Sequence, residues 1–227
     1  MVIRKRRVKR HEDKKGYSVD GYDQSFVGIT TLLGKTKDEE SKAALHRWLK
    51  IPGNSQKTKQ ACARGSFSHR VMEQYGQGIP VNKGRAYALF KGYVDPLVDW
   101  FDNNVTAVLA QEQAVFHPDG FAGTYDLLAT LKEHGDQPVL CDYKTSQRSR
   151  LVNAMLTHDY CCQLAAYCLC LEVCEKLKVE RAMLVISVNG ELETKYIGPG
   201  PMKAYKNAFL DRVLEYKQLY PNDFLPN

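Results

Sequence analysis

A chain of 227 residues is long enough to bury a full core as one domain without disulfide or metal staples. With 44% hydrophobic and 26% charged residues, 16 Gly and 9 Pro, the composition excludes wholesale disorder and collagen-like or low-complexity classes. No apolar run approaches the roughly 18 residues that a membrane-spanning helix needs, so no membrane partner is expected. Lys and Arg number 32 against 26 Asp and Glu, a net +6, and the excess sits at one end. Arg4, Lys5, Arg6, Arg7, Lys9, Arg10, Lys14 and Lys15 face only Glu12 and Asp13, and the rest of the chain balances to zero. Such an arm either meets nucleic-acid phosphates or is a solvated, flexible terminus. No apolar stretch follows the arm, so it does not read as a secretory signal, and its acids and shortage of Ser argue against mitochondrial import. Seven Cys form an odd set, and Cys161, Cys162, Cys168, Cys170 and Cys174 crowd one segment. A reducing, cytoplasmic compartment suits them best.

In chain order, residues 1–24 show no sustained period and are expected to be a basic, flexible arm ahead of a single domain over 25–227. Phe26–Leu33 is a short apolar stretch. Helices are expected over Asp38–Lys50, Ser55–Tyr75 and Gly84–Asn103, separated by Pro52-Gly53 and by Gly76 with Gly78. Strands are expected over Val105–Phe116, Phe121–Leu131 and Pro138–Thr145, joined by the turns Pro118-Asp119-Gly120 and Glu133–Asp136. A basic loop over 146–157 leads to a helix at Asp159–Lys178. Arg181–Val188 and Glu191–Ile197 form a hairpin around Asn189-Gly190, and Pro201–Tyr220 is a last helix. Short turns pair neighbouring strands antiparallel, while the long helical connection allows a parallel partner. The expected fold is therefore α/β, with a mixed central sheet flanked by helices.

The chemistry concentrates in Gly123-Thr124-Tyr125-Asp126 and Cys141-Asp142-Tyr143-Lys144-Thr145. Strand alternation puts Asp142 and Lys144 on one face. Asp126 lies on the preceding strand, so two carboxylates and an ammonium converge at one sheet edge. Two close carboxylates resist joint ionisation. A hard divalent cation removes that conflict, and Lys144 beside it can steady developing negative charge. Taken alone, Asp-x-Lys is also what an exposed strand end with a surface ion pair looks like.

Together with Gln163-Leu-Ala-Ala-Tyr167, the early Arg64-Gly65-Ser66-Phe67-Ser68-His69, and the segments Val27–Thr36 and Ala44–Trp48, these motifs resemble the PD-(D/E)XK nucleases. The branch resembled is that of the RecB-type exonucleases, the mitochondrial genome maintenance exonucleases and related phage enzymes. The resemblance spans about residues 25–220. It implies a restriction-endonuclease-like αβββαβ core preceded by extra N-terminal helices. It implies that Asp126 and Asp142 ligate Mg²⁺ or Mn²⁺, with the backbone carbonyl of Tyr143 and with His69, and more weakly Glu112, as further ligands. Lys144 becomes the catalytic lysine. Gln163 and Tyr167, four apart on one helix face, complete the catalytic set. Arg64, Ser66, Thr124, Thr145, Arg148 and Arg150 become candidate DNA contacts, and Phe67, Tyr125 and Tyr143 candidate stacking surfaces. Read without the resemblance, His69 is a core histidine satisfied by Glu73 one turn on. Some relatives carry an iron–sulfur cluster; the Cys of this chain do not form a converging cage, so no cluster and no structural zinc are expected, and buried Cys acting as small hydrophobes is the better reading.

The activity implied is metal-dependent DNA hydrolysis from free ends, of single strands first, in replication, recombination, repair or nucleotide scavenging. A replication or recombination protein is a candidate partner, and the setting is a bacterial or phage-infected cytoplasm. The rivals are a non-catalytic nucleic-acid-binding module on the same fold and an exonuclease that resects double-stranded ends. Residues 79–104, a helix with many aromatics, are expected to form part of a cover over a single-strand channel.

Overall fold

The computed structural model describes residues 8–11, 16–151 and 153–224. The strands β1 (Val8–Arg10), β2 (Gly16–Val19) and β3 (Phe26–Gly28) come first. The helices α1 (Ile29–Lys35), α2 (Glu39–Lys50), α3 (Asn54–Gly76) and α4 (Arg85–Asn104) follow. Next are β4 (Val105–His117), β5 (Phe121–Leu131), β6 (Pro138–Thr145) and α5 (Ala154–Cys174). The hairpin β7 (Ala182–Val188) and β8 (Glu191–Ile197) leads into α6 (Pro199–Leu219).

All eight strands join one mixed sheet in the order β1-β2-β3-β5-β6-β7-β8, with β4 on the other edge of β5. The sheet is antiparallel except where β3 meets β5 and β6 meets β7. The expected flexible arm is thus partly a sheet element, because Tyr17 and Val19 alternate inward and are buried. Arg4–Arg7 and Glu12–Lys15 lie outside the described residues. No helix of the described residues is long and apolar enough to cross a membrane.

The sheet has two covered faces. One packs on α1, α5 and α6 through Leu32, Leu164, Leu171 and Phe209. The other packs on α3 and α4 through Met72, Leu97 and Trp100. Helix α5 is buried on nearly every side, and Cys161, Cys162, Cys168, Cys170 and Cys174 lie in its packed surface. Each behaves as a small hydrophobe. Burial pushes the thiols of Cys162 and Cys168 up to about 12. Cys62 alone is exposed.

On the opposite face, Pro96 sits inside α4. Proline has no N–H, so the carbonyl four residues earlier loses its helical donor. That carbonyl belongs to Gly92, and it accepts instead from the Gly190 N–H in the β7–β8 turn. A helix defect thereby becomes the bond that docks α4 on the hairpin.

Gly123 marks another close approach. A Cβ there would lie 2.6 Å from the Tyr167 ring and 3.0 Å from Ile29. Overpacking of this kind costs about 1–3 kcal/mol. Gly123→Ala is expected to lose that much in a urea titration while keeping its far-UV circular dichroism; an unchanged midpoint would mean that Tyr167 moves aside freely.

Candidate metal centre and active site

Strand β5 shares one edge between two partners. Val27 and Gly28 of β3 pair with Phe121 and Ala122, and β6 pairs with Leu127–Thr130. Between those ladders the edge is open, and Asp126 stands at the fork. The ladder partner next in line on β6 would be Asp142, but pairing has already stopped at Leu127 with Cys141. Beyond that point the Tyr143 backbone N–H and C=O face the gap without a strand. A buried, unpaired peptide group costs about as much as a lost hydrogen bond. Asp126 Oδ2 accepts from the Tyr143 N–H at 2.6 Å, and His69 Nε2 lies 2.9 Å from the Tyr143 carbonyl. Two site residues therefore replace the missing strand.

The other edge of β5 is distorted at the same level. The β4–β5 ladder pairs Gln111 with Leu127 and Gln113 with Tyr125, skipping Glu112 opposite Asp126. Glu112 has φ 46°, the left-handed region that a non-glycine residue rarely adopts. Strain of this type collects at functional sites and costs of order 1–3 kcal/mol. Its effect here is to bring the Glu112 carboxylate toward His69 and Asp126. His69 Nδ1 lies 3.3 Å from Asp126 Oδ1 and 3.9 Å from Glu112 Oε1. One ligand atom from each of these three residues falls within 4.8 Å of the other two.

This donor set fits a divalent cation. It offers two carboxylates and an imidazole, and the second ring nitrogen of the imidazole is fixed by a backbone carbonyl, as in metal-ligating histidines generally. The charges of this donor set also govern its protonation. Burial disfavours a charged His69, but the Asp126 carboxylate overrides it and raises the imidazole to about 9. Burial, then the charge of Asp126, pushes Glu112 up to about 7. For Asp126, burial acts upward, but His69 outweighs it and the carboxyl stays below its ordinary value.

Asp142 heads a second cluster on the α5 side. Its carboxylate pairs with Lys144 and accepts from Gln163 Nε2 at 3.3 Å, and Gln163 Nε2 also reaches the Tyr167 hydroxyl at 3.0 Å. Burial pushes Asp142 up to about 6 against the pull of Lys144. Burial works against a charged Lys144, but Asp142 and Asp126 raise it above its ordinary value, so it remains an ammonium. Tyr160, which sequence reasoning missed, lies under Lys144 with its ring centre 5.3 Å from Nζ. Its signal was available: Tyr160, Gln163 and Tyr167 are spaced by three and four on α5.

The structure thus brings together His69, Glu112, Asp126, Asp142, Lys144, Gln163 and Tyr167. His69 turns to Asp126 and Tyr143 through its own two nitrogens. Asp142 falls outside the three-residue donor group, and one lone pair of the Tyr143 carbonyl is committed to His69. Arg64 needs correction as a DNA contact. It is 6% exposed, its Nε donates to Thr145 Oγ1 at 3.0 Å, its Nη2 reaches the Thr145 carbonyl at 3.3 Å, and its guanidinium lies over Tyr93. Arg64 therefore clamps the end of β6, and Thr145 is its partner. Arg150 is half-buried, with Nε on Ser146 Oγ at 2.7 Å. Ser66 and Arg148 are exposed and Thr124 is half-buried. Tyr125 and Tyr143, 1% and 3% exposed, are core residues and offer no stacking face.

Helix α4, within the segment expected to contribute to a cover, has one face committed to the sheet. Tyr93, Val94, Leu97 and Trp100 bury the inner face of α4 against the sheet. The helix that stands clear is α2, which has no buried residue. Beside its start, Lys37 pairs with Asp159 of α5 at 3.2 Å, and Ser41 Oγ meets Met155 at 2.8 Å. Near its other end Asn54 of α3 donates to the Trp48 carbonyl at 2.9 Å. Helix α2 thus bridges from α5 to α3, the helices that carry Gln163 and His69, and leaves Leu45, Trp48 and Leu49 exposed.

No curated protein matches the chain by sequence. Among solved structures, similarity is found to SSO0001 at 13% identity and TM-score 0.39, over 88% of this chain and 79% of that one. An alkaline exonuclease, LHK-Exo from Laribacter hongkongensis, aligns at 12% identity and TM-score 0.39, over 87% of this chain and 92% of its own. The same enzyme in complex with dAMP aligns at 14% identity and TM-score 0.33, over 69% and 83%. The family model of the PD-(D/E)XK nuclease superfamily matches residues 77–216. That span holds Glu112, Asp126, Asp142, Lys144, Gln163 and Tyr167, and with the forked mixed sheet that presents them it makes this chain a member of the PD-(D/E)XK nuclease superfamily.

Proposed function

We propose that the chain is a DNA exonuclease that depends on Mg²⁺ or Mn²⁺, acts at free ends and prefers single strands. The observation that carries this reading is the fork in the sheet, where the donor group of His69, Glu112 and Asp126 adjoins the Asp142–Lys144–Gln163 cluster through the backbone of one residue, Tyr143. A bound divalent cation would supply Lewis-acid stabilisation of a phosphodiester oxygen at this place. Asp126 and Glu112 would hold it together with His69. Asp142 keeps Lys144 charged and aimed, and the ammonium steadies negative charge that develops on the phosphate. Gln163 and Tyr167 fix the free Asp142 oxygen so that the lysine geometry does not drift. Residues 25–227 act as one domain to which β1 and β2 add strands.

The preference for single strands rests on α2. An aromatic ring and two leucines stand exposed beside His46, Arg47 and Lys50, while Lys42 is paired with Glu39. Bases stack on such surfaces only when unpaired, and the basic residues suit the backbone.

Three outcomes check this reading. Purified protein is expected to degrade end-labelled single strands with Mg²⁺ or Mn²⁺ and to stop with EDTA. Lys144→Ala should lower the rate at least about a hundredfold, in line with loss of a preorganised charge; cutting of circular DNA would replace the end-dependent reading with an endonuclease. Glu112→Gly should relieve both the backbone strain and the crowding of carboxylates. Its cation-free form should melt about 2–4 °C higher, the shift that about 1 kcal/mol gives in a chain of this size, while isothermal titration shows weaker cation binding. A lower Tm would show that the strain is not stored there. The third outcome concerns pH. The folded, cation-free site holds protons on Glu112 to about 7 and on His69 to about 9, above their ordinary 4.5 and 6.5. Stabilisation from a charged His69 is complete below pH 6.5 and is lost as pH rises through 9. The penalty for ionising Glu112 grows from pH 4.5 through 7. A cation must displace both protons, so the rise in Tm caused by Mg²⁺ or Mn²⁺ should grow between pH 6 and 9; a flat profile would remove His69 and Glu112 from the ligand set.

A further inference from the structure

Helix α3 carries two neighbouring stripes. Ser66, His69 and Glu73 form the stripe on the metal-site side, and Phe67, Arg70, Val71 and Gln74 follow the i, i+3, i+4, i+7 pattern of the next one. The second stripe lines a groove of about 420 Å³ whose far wall is Asn82, Gly84, Arg85, Ala86 and Tyr87. Two arginines and no carboxylate line it. The Arg70 guanidinium lies 5.8 Å from the Phe67 ring centre, Phe67 packs on Phe90 at 5.7 Å, and the Tyr87 hydroxyl is tied to Asp95 at 2.7 Å. A larger cavity of about 560 Å³ on the other side of α4 is lined by Asp95 and Asp99 against Lys91 alone, and repels a polyanion.

We infer that the groove between α3 and the start of α4 is a subsite for one nucleotide unit of the substrate strand. It rests on the proposed nuclease function and names how the strand is held away from the reacting phosphate. The groove combines what a single-strand subsite needs: rings for a base and two arginines for the phosphate. Asn82 and Gln74 supply amides that tolerate any base edge. The path to the metal site crosses the exposed side of α3 past Ser66 and Arg70. A helix is about 10 Å across, so the two stripes are neighbours on one surface. A strand seated in the groove is therefore anchored close enough to position the phosphate at the fork.

The test compares wild type with Arg70→Glu/Arg85→Glu, both exposed positions, and with Phe67→Tyr, which keeps a ring. Substrates are bis(p-nitrophenyl) phosphate and oligothymidylates from two to ten nucleotides, with Mn²⁺. The double variant is expected to hydrolyse the chromogenic diester and the dinucleotide like wild type. Its KM for the ten-nucleotide strand should rise about tenfold or more, and Phe67→Tyr should retain wild-type KM. An identical dependence on length in wild type and double variant overturns the subsite and leaves the nuclease reading intact. No hydrolysis of any substrate by wild type overturns the nuclease reading instead. Fluorescence anisotropy with the labelled ten-nucleotide strand in EDTA then decides the groove, since equal affinities of wild type and double variant reject it. Free thymidine monophosphate is titrated in parallel. If it competes at the same concentration as the strand, and does so only in wild type, the groove holds released mononucleotide and the strand subsite is overturned.

Discussion

The backbone of one residue, Tyr143, organises this site: its N–H and its C=O, in two successive peptide units, take their partners from different layers. Its N–H and C=O face a gap between strands, and both need partners because no neighbouring strand supplies them. Asp126 and His69 take those two places. Asp126 is itself buried, so its charge favours the imidazolium when no cation is bound, and His69 adds one more contact between α3 and the sheet beside Met72 and Arg64. Removal of either side chain therefore affects more than cation binding, because it leaves a buried peptide group orphaned. The pair couples backbone satisfaction to ionisation at a single point.

The packing around the fork serves that arrangement. On the α5 side the helix is buried almost completely, and each of its fully buried leucines contributes roughly 1.5–3 kcal/mol. That rigid layer sets Gln163 and Tyr167 beneath Asp142, and the missing side chain of Gly123 lets the Tyr167 ring approach β5. On the α3 side the Arg64 clamp holds Thr145, so the two ends of the Asp142–Lys144 segment are fixed by different layers. The β6–β7 parallel pairing underneath supplies the remaining edge. Neither carboxylate nor lysine depends on a loop for its position.

Much of this was legible in the sequence. The three strands from Val105 to Thr145 and the β7–β8 hairpin were readable because turn residues bound them and the alternation is clean. Asp126, Asp142, Lys144, Gln163 and Tyr167 were readable because their spacing places them at one edge and on one helix face. The limits have physical causes. Strands β1 and β2 were hidden because only Tyr17 and Val19 turn inward among charged neighbours. The end of α5 was placed four residues late because Lys176, with φ 53°, takes the left-handed position at which glycine usually announces a stop. Asn153 caps the start of α5 through Leu156 N–H, a signal present but overlooked. Arg64 looked like a phosphate contact because a basic residue near a site motif says nothing of depth. Glu112 could not be weighted properly, since its backbone conformation leaves no mark on its neighbours.

The cysteines on α5 have a consequence for observing the protein. Six of the seven thiols are buried, and burial holds them in the protonated, unreactive form that neither oxidant nor alkylating agent attacks readily. Cys62 lies outside on α3, where a reagent can reach it. The chain therefore carries its own two-part reporter. The first equivalent of a thiol reagent reads the surface, and the five thiols of α5 read the moment at which that helix lifts from the sheet, while Cys141 of β6 reads the opening of the opposite face. Because that helix also carries Gln163 and Tyr167, the slow phase of labelling is a clock for the opening of the layer beneath Asp142.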